Sequence, residues 1–307
     1  MEALHLMGTY ENKAVFKSGT ESTPYHYRGQ YEDFGECKAS LFRTNSKEEI
    51  FLQICKTIAF ENLLDNHPYI KFLKKTKVYG SYIYINNTAI AQHYEMQTPY
   101  LDLTSNFDVA SFFATCIYNN DIKKFIPYNG KEKLGVIYVY NEMLEFLASN
   151  NKMPNFEYIG WQGLSRPEEQ RASIYKLNND SDFNMNKSVR KYLFKHSPSS
   201  SKRIWNKFNK GDILFPNDTA TILANECKNL SSFTNDEIES AKQRFKQWTT
   251  TNIDDNSSYI DNLTVNDNSS LNWGELSEYK ESYWIDKFNE VLPKTRSRLC
   301  ANHLQLK

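Results

Sequence analysis

AQHYEMQTPYLDLTSNFDVASFFA, residues 91–114, brings an amide, an imidazole, a phenol, a carboxylate and two adjacent hydroxyls (Gln92, His93, Tyr94, Asp102, Thr104 and Ser105) into one short segment. The polar part leads into a buried strand end at residues 100–104. Residues 107–118 then read as a helix, with Val109, Phe112, Phe113, Cys116 and Ile117 on its core face. Ser105 or Asn106 stands where the cap of that helix belongs. A polar turn between a strand and a helix start aims backbone N–H groups outward, so function is sought here first.

Working outward, the pattern is α+β. Residues 25–30, YHYRGQ, read as an aromatic strand ending at Gly29, and residues 46–64 as a helix capped by Ser46 with Glu49 as its capping-box partner. Pro68 closes that segment, and Thr88 is placed to cap a shorter helix ending near Tyr94. GVIYVY, residues 135–140, is the clearest strand, and residues 173–177 read as another. Residues 150–166, interrupted by Pro154, Gly160 and Gly163, read as loop. Residues 236–248 and 273–291 have helical spacing, whereas residues 249–271 are rich in Asn, Asp, Ser and Thr and read as a linker. The expected organisation is an N-terminal extension (1–24), one core (25–235) and a C-terminal helical region (236–307).

Lys and Arg number 37 and so do Asp and Glu, so no global field draws the chain to nucleic acid or an anionic membrane. A local basic stretch interleaved with rings, Lys195, Lys202, Arg203, Trp205, Lys207, Phe208 and Lys210, reads first as solvated helix and second as a nucleic-acid contact. Five scattered cysteines without a CxxC pair argue against disulfides and a zinc site. The first residues lack the pattern of a signal peptide and no apolar run suffices to span a bilayer, so a cytoplasmic protein is expected.

YRGQ at 27–30, SLFR at 40–43, AQHY at 91–94, LDLTSN at 101–106 with FFA at 112–114, and LFPND at 214–218 stand in an order that resembles FRG domains, over about residues 25–230. The chain departs from that family's pattern at Glu95, Tyr100 and Leu103, and at Gln170, Arg171 and Ala172. The layout is similar to the mono-ADP-ribosyltransferase fold, which implies a core of two packed β-sheets flanked by helices. That likeness implies an Arg on the first core strand (Arg28), a hydroxyl pair before a helix (Thr104, Ser105) and a Glu or Gln near a late strand (Glu168, Glu169 or Gln170).

It also implies roles. NAD is the expected substrate, with no metal. Glu169 or Gln170 would stabilise positive charge on the ribose, and Arg28, beside Gly29, would grip pyrophosphate or ribose. Thr104 and Ser105 would order the cleft, Tyr94 would stack on nicotinamide, His93 would orient a hydroxyl and Asp102 would act as base toward the acceptor. Each has a plainer reading: helix caps for Thr104 and Ser105, a buried polar pair for His93 and Tyr94, a turn-pinning ion pair to Glu32 or Asp33 for Arg28, and a buried partner to Arg28 or Arg43 for Asp102. The implied activity is transfer of ADP-ribose to a macromolecule, RNA or DNA ahead of protein, as in a bacterial toxin or antiviral effector. An NAD glycohydrolase and a silent binding module are the alternatives. A toxin would be restrained by an antitoxin or chaperone, for which the segment 273–292 offers an amphipathic face.

Overall fold

A computed structural model describes residues 3–21, 23–44, 46–130, 132–150, 155–251, 260, 263, 271–297 and 305–306. In chain order its elements are β1 (Leu4–Tyr10), β2 (Lys13–Ser18), β3 (Tyr25–Gln30), α1 (Lys47–Asn66), α2 (Pro68–Lys75), β4 (Lys77–Val78), β5 (Ser81–Ile83), α3 (Asn87–His93), β6 (Tyr100–Thr104) and α4 (Phe107–Thr115). There follow β7 (Cys116–Asn119), β8 (Lys124–Pro127), β9 (Leu134–Asn141), α5 (Glu142–Ala148), β10 (Phe156–Tyr158), α6 (Ser165–Glu169), β11 (Ala172–Lys176), β12 (Val189–Lys195), α7 (Pro198–Lys207), α8 (Thr219–Lys228), α9 (Asn235–Thr249), α10 (Glu281–Val291), β13 (Thr295–Ser297) and β14 (Gln305–Leu306).

The strands make an α+β architecture of two six-stranded sheets and a small hairpin. One sheet runs β13-β1-β2-β5-β4 with β14 also on β1; the other runs β10-β11-β6-β3-β9-β12; β7 and β8 pair alone. In the second sheet Thr104 pairs with both Tyr27 and Ala172, so β3, β6 and β11 are consecutive neighbours. Fully buried rings of Phe51, Tyr138, Tyr140, Phe156, Phe183 and Phe245 form the core with α1 and α9.

Helix α4 packs on β3 at Gly29. A Cβ there would lie 1.9 Å from the Ala110 carbonyl oxygen and 2.7 Å from the Ala114 nitrogen, so the strand and helix approach as closely as they do only because residue 29 has no side chain. Ala110 and Ala114 meet it from the helix side, both fully buried.

Local rules account for most elements, with instructive differences. Ser46 caps α1 by accepting the Glu49 N–H at 3.1 Å, but its own N–H donates to Thr44 Oγ1 at 3.2 Å and not to the Glu49 carboxylate a capping box would use. Asn86, not Thr88, caps α3; the Thr88 hydroxyl instead donates to Glu61 at 2.6 Å. Asn106, not Ser105, caps α4, accepting from the N–H groups of Asp108 and Val109. That helix ends at Thr115 because Cys116 and Ile117 enter β7 opposite Pro127 and Ile126, a pairing no local pattern announces. Residues 155–166 are not simply loop, since β10 and the start of α6 lie there.

Residues 1–24 are not a mere extension. Ala14, Val15 and Phe16 of β2 are buried, and β1 pairs with β13 near the other end of the chain. The expected linker, residues 249–271, lies mostly outside the described residues. The helical spacing of 273–291 resolves into a 3-10 turn (Gly274–Glu278) and α10, which dock Trp273, Trp284 and Phe288 onto the core. No helix among the described residues is long and apolar enough to cross a membrane.

Candidate functional site

His93 closes α3 with its side chain 1% exposed, and its Nδ1 lies 2.8 Å from the Oε1 of Gln170. The Gln170 Nε2 donates to the Leu214 carbonyl at 2.9 Å, which fixes the amide so that its oxygen faces the imidazole. Nδ1 therefore carries the proton. That leaves Nε2 facing Asp102 Oδ1 at 3.5 Å, and both atoms are buried without a hydrogen-bond partner among the described residues. The other carboxylate oxygen, Oδ2, accepts from Gln92 Nε2 at 3.1 Å. An imidazole nitrogen and a carboxylate oxygen side by side favour a ligand hydroxyl, or a proton, between them.

Two hollows meet at this pair. The larger, about 800 Å³, reaches from His93, Asp102 and Gln170 past Arg166 and Phe215 to α8 and the β7–β8 hairpin. The smaller, about 120 Å³, is lined by Tyr27, Arg28, Gly29, Leu103, Thr104 and the start of α4. His93, Asp102, Phe113 and Gln170 line both. The larger lies within the range of ligand clefts and the smaller suits a single ring or sugar.

Arg28 reaches the small hollow from β3. Its Nη1 donates to the Asp102 backbone carbonyl at 3.1 Å, and its Nε is buried without a partner. Among the described residues no carboxylate pairs with it: Asp33 takes Lys191 at 2.6 Å and Glu32 takes Lys133 at 2.5 Å. Asp102 thus meets Arg28 through its backbone, while its carboxylate turns to Gln92 and His93. Burial of Arg43 lowers its pKa, and the like charge of Arg28 adds to the shift. Thr104 Oγ1 accepts the Asn106 N–H at 3.0 Å, leaving its own proton free to donate into the hollow.

Two expected participants, Glu169 and Ser105, stand outside both hollows, and a third, Tyr94, is in the wall but already engaged. Glu169 ends α6 and lines neither hollow; the chain turns at Arg171 (φ 50°), and it is Gln170, 5% exposed, that points inward. Ser105 is buried and lines neither hollow. Tyr94 sits in the cleft wall but is 1% exposed, with its hydroxyl donating to Asp218 Oδ2 at 2.7 Å and the Arg166 guanidinium 4.8 Å above its ring. Its ring has no face left for stacking, and burial together with Asp218 pushes its pKa up.

Arg166 escaped the sequence reading. It is 5% exposed, lies over both the Tyr94 and Phe215 rings, and donates to the His93 carbonyl at 3.2 Å and Thr221 Oγ1 at 3.0 Å. The signal available was Pro167, which is compatible with a helix first turn and stands as the third residue of α6. The rings of the basic stretch are engaged internally: Trp205 Nε1 donates to the Phe125 carbonyl at 2.8 Å, and Phe208 packs on Phe112. Of that stretch only Lys210 lines the cleft, where Lys123, Lys124 and Lys228 join it.

A second polar group, Ser173 Oγ at 2.8 Å from His26 Nδ1 with Glu142 at 3.1 Å from Nε2, has the composition of a hydrolytic triad. Ser173 and His26 are both fully buried, so this is a core network. Among the described residues no three His, Cys, Asp or Glu side chains are grouped to hold a metal ion.

Compared with known proteins, residues 23–123 match the family model for the FRG domain. The match takes in β3, the α1–α3 helices, β6 and α4, and therefore Arg28, His93, Asp102 and Thr104; Arg166, Gln170 and the LFPND segment lie beyond it. No curated protein and no solved structure matches the chain.

Proposed function

We propose that the chain binds NAD across the two hollows and transfers its ADP-ribose to a macromolecule. The observation that carries this reading is the meeting of Arg28, Thr104 and Gln170, from or beside three neighbouring strands, around one hollow with His93 and Asp102. An ADP-ribosyltransferase-like arrangement calls for such a meeting.

NAD supplies a ribosyl carbon activated by a cationic nicotinamide leaving group. Asp102 is the carboxylate shared by both hollows, and its unpartnered Oδ1 offsets positive charge that develops on the ribose. His93 and Asp102 together receive a ribose hydroxyl. Gln170, with both amide atoms already bonded, holds His93 in place. Arg28 and Thr104 fix the group that enters the small hollow. Asp102 takes the acceptor's proton as the acceptor's nucleophilic atom bonds to the ribosyl C1′, while the electrons of the C1′–N bond leave with neutral nicotinamide.

The exposed Lys123, Lys124 and Lys210 at the cleft mouth favour a nucleic-acid acceptor over a protein. In a bacterial toxin or defence effector such a modification would arrest growth, and an antitoxin or chaperone would restrain it. The test is incubation with NAD labelled in its adenine. Label on RNA or DNA supports the reading. Label on protein corrects the acceptor, and free ADP-ribose alone makes the protein a glycohydrolase. No nicotinamide release under any condition, with growth unaffected on expression, sinks the enzyme reading.

A further inference from the structure

We infer that Arg166 is the diphosphate-binding residue of the large cleft, and that the phosphates it takes belong to a small nucleotide rather than to a polymer. This rests on the reading of the cleft as a nucleotide site, but assigns the phosphate grip to a residue outside the FRG match and away from Arg28.

Arg166 is 5% exposed, lines the cleft, and its Nε is buried without a partner among the described residues. A buried guanidinium with an unmet donor is costly unless a ligand completes it. Its one carboxylate contact among the described residues, Glu95 Oε1 at 3.4 Å, is long, and Glu95 is shared with Lys228 at 3.0 Å. Partial desolvation at the cleft wall raises the pKa of the exposed Glu95, yet Lys228 and then Arg166 outweigh it and hold the carboxyl below its usual range, so Glu95 stays an anion divided between two cations. The cations are therefore under-compensated, with Lys123, Lys124 and Lys210 adding to the same cleft against Asp102 and Asp212.

The geometry suits phosphate. The guanidinium lies over the rings of Tyr94 and Phe215, at 4.8 and 5.3 Å, with Nη1 held by the His93 carbonyl and Nη2 by Thr221, which fixes its orientation in the cleft wall. Asn217, just before the Asp218 cap of α8, and Thr221, in the first turn of that helix, line the same wall. Arg28, by contrast, faces a hollow of about 120 Å³ whose other walls include Tyr27, Val109 and Phe113, which suits a ring or sugar rather than a diphosphate. Arg166 is recessed, whereas the lysines at the mouth are exposed, so a polymer backbone would meet the lysines first.

The test uses calorimetry on the full chain with inorganic pyrophosphate, ADP, ADP-ribose, adenosine and a short single-stranded oligonucleotide. For the wild type, ADP and ADP-ribose are expected to bind at least about tenfold more tightly than adenosine. Arg166→Gln should abolish that margin and leave adenosine unchanged; Arg166→Lys should recover part of it; oligonucleotide affinity should hardly move. Should Arg166→Gln fail to fold, Glu95→Gln in a Lys228→Met background serves instead: there the anion it removes competes for Arg166 and not for Lys228, so ADP and pyrophosphate should tighten about threefold or more while adenosine stays unchanged.

The inference is overturned if folded Arg166→Gln keeps the phosphate margin, if adenosine weakens equally, if Glu95→Gln on the Lys228→Met background leaves affinity unchanged, or if only the oligonucleotide depends on Arg166. Arg166-dependent ADP-ribose binding without NAD cleavage would leave the inference standing and refute the transferase. NAD cleavage with an Arg166-independent phosphate margin would do the reverse.

Discussion

At the scale of single residues the motif YRGQ shows how two adjacent positions serve different ends. Gly29 is needed because α4 lies against its backbone, and Arg28 because the same strand delivers a charge to the hollow. Gly29→Ala should destabilise the fold by about 3 kcal/mol, the upper end for overpacking, since the atoms it meets are backbone and cannot swing aside; urea denaturation measures this. Asp102→Asn keeps shape and removes charge. It should lower nicotinamide release by about 100- to 1,000-fold with little change in ADP-ribose affinity, and equal loss of both would refute its role at the reacting centre. Arg28 and Asp102 were legible in the sequence as candidates. That Gln170 rather than Glu169 turns inward was not, because it depends on the left-handed turn at Arg171.

At the scale of elements, the C-terminal segment answers a question the sequence left open. Trp273 is 3% exposed and donates from Nε1 to the Leu63 carbonyl at 2.7 Å, so the appendage is part of the fold. Trp273→Ala should destabilise by about 3–5 kcal/mol, and ending the chain after Thr250 should lower the melting temperature instead of leaving the core unchanged. A tail held only by a partner would give neither result.

The same contact makes stability depend on pH. His67 caps α2 by accepting the Ile70 N–H on Nδ1, and it packs edge-on against Trp273. Burial, helped by Lys287, lowers its pKa from 6.5 to about 4. The folded state thus binds the proton more weakly than the unfolded state. The stabilisation is full above pH 6.5 and is lost as pH falls toward 4, amounting to about 3 kcal/mol. His67→Asn retains a capping oxygen without titrating, so its denaturation midpoint should lose most of the slope between those limits. An unchanged slope would assign the acid sensitivity elsewhere.

At the scale of the whole molecule, zero net charge hid a cleft whose lining is cationic. If single-stranded nucleic acid is the acceptor, the exposed lysines at the mouth should give a log affinity against log salt slope of about −2. A flat salt response would count against a nucleic-acid partner. The tally of charge could not reveal this, because residues 95, 123, 166, 210 and 228 are brought to one wall only by folding.

What the sequence by itself determined is the set of elements that carry their own signals: the apolar periodicity of α1 and α4, the β-branched run of β9, the glycine beside Arg28 and the order of polar motifs. These depend on interactions between near neighbours along the chain. Tertiary structure alone decided that β3, β6 and β11 are adjacent, that β1 closes a sheet with β13, that Tyr94 is spent on Asp218, and that Arg166 faces the cleft. Each of these is a contact between segments far apart in sequence, whose energy depends on burial and mutual geometry that no local pattern encodes.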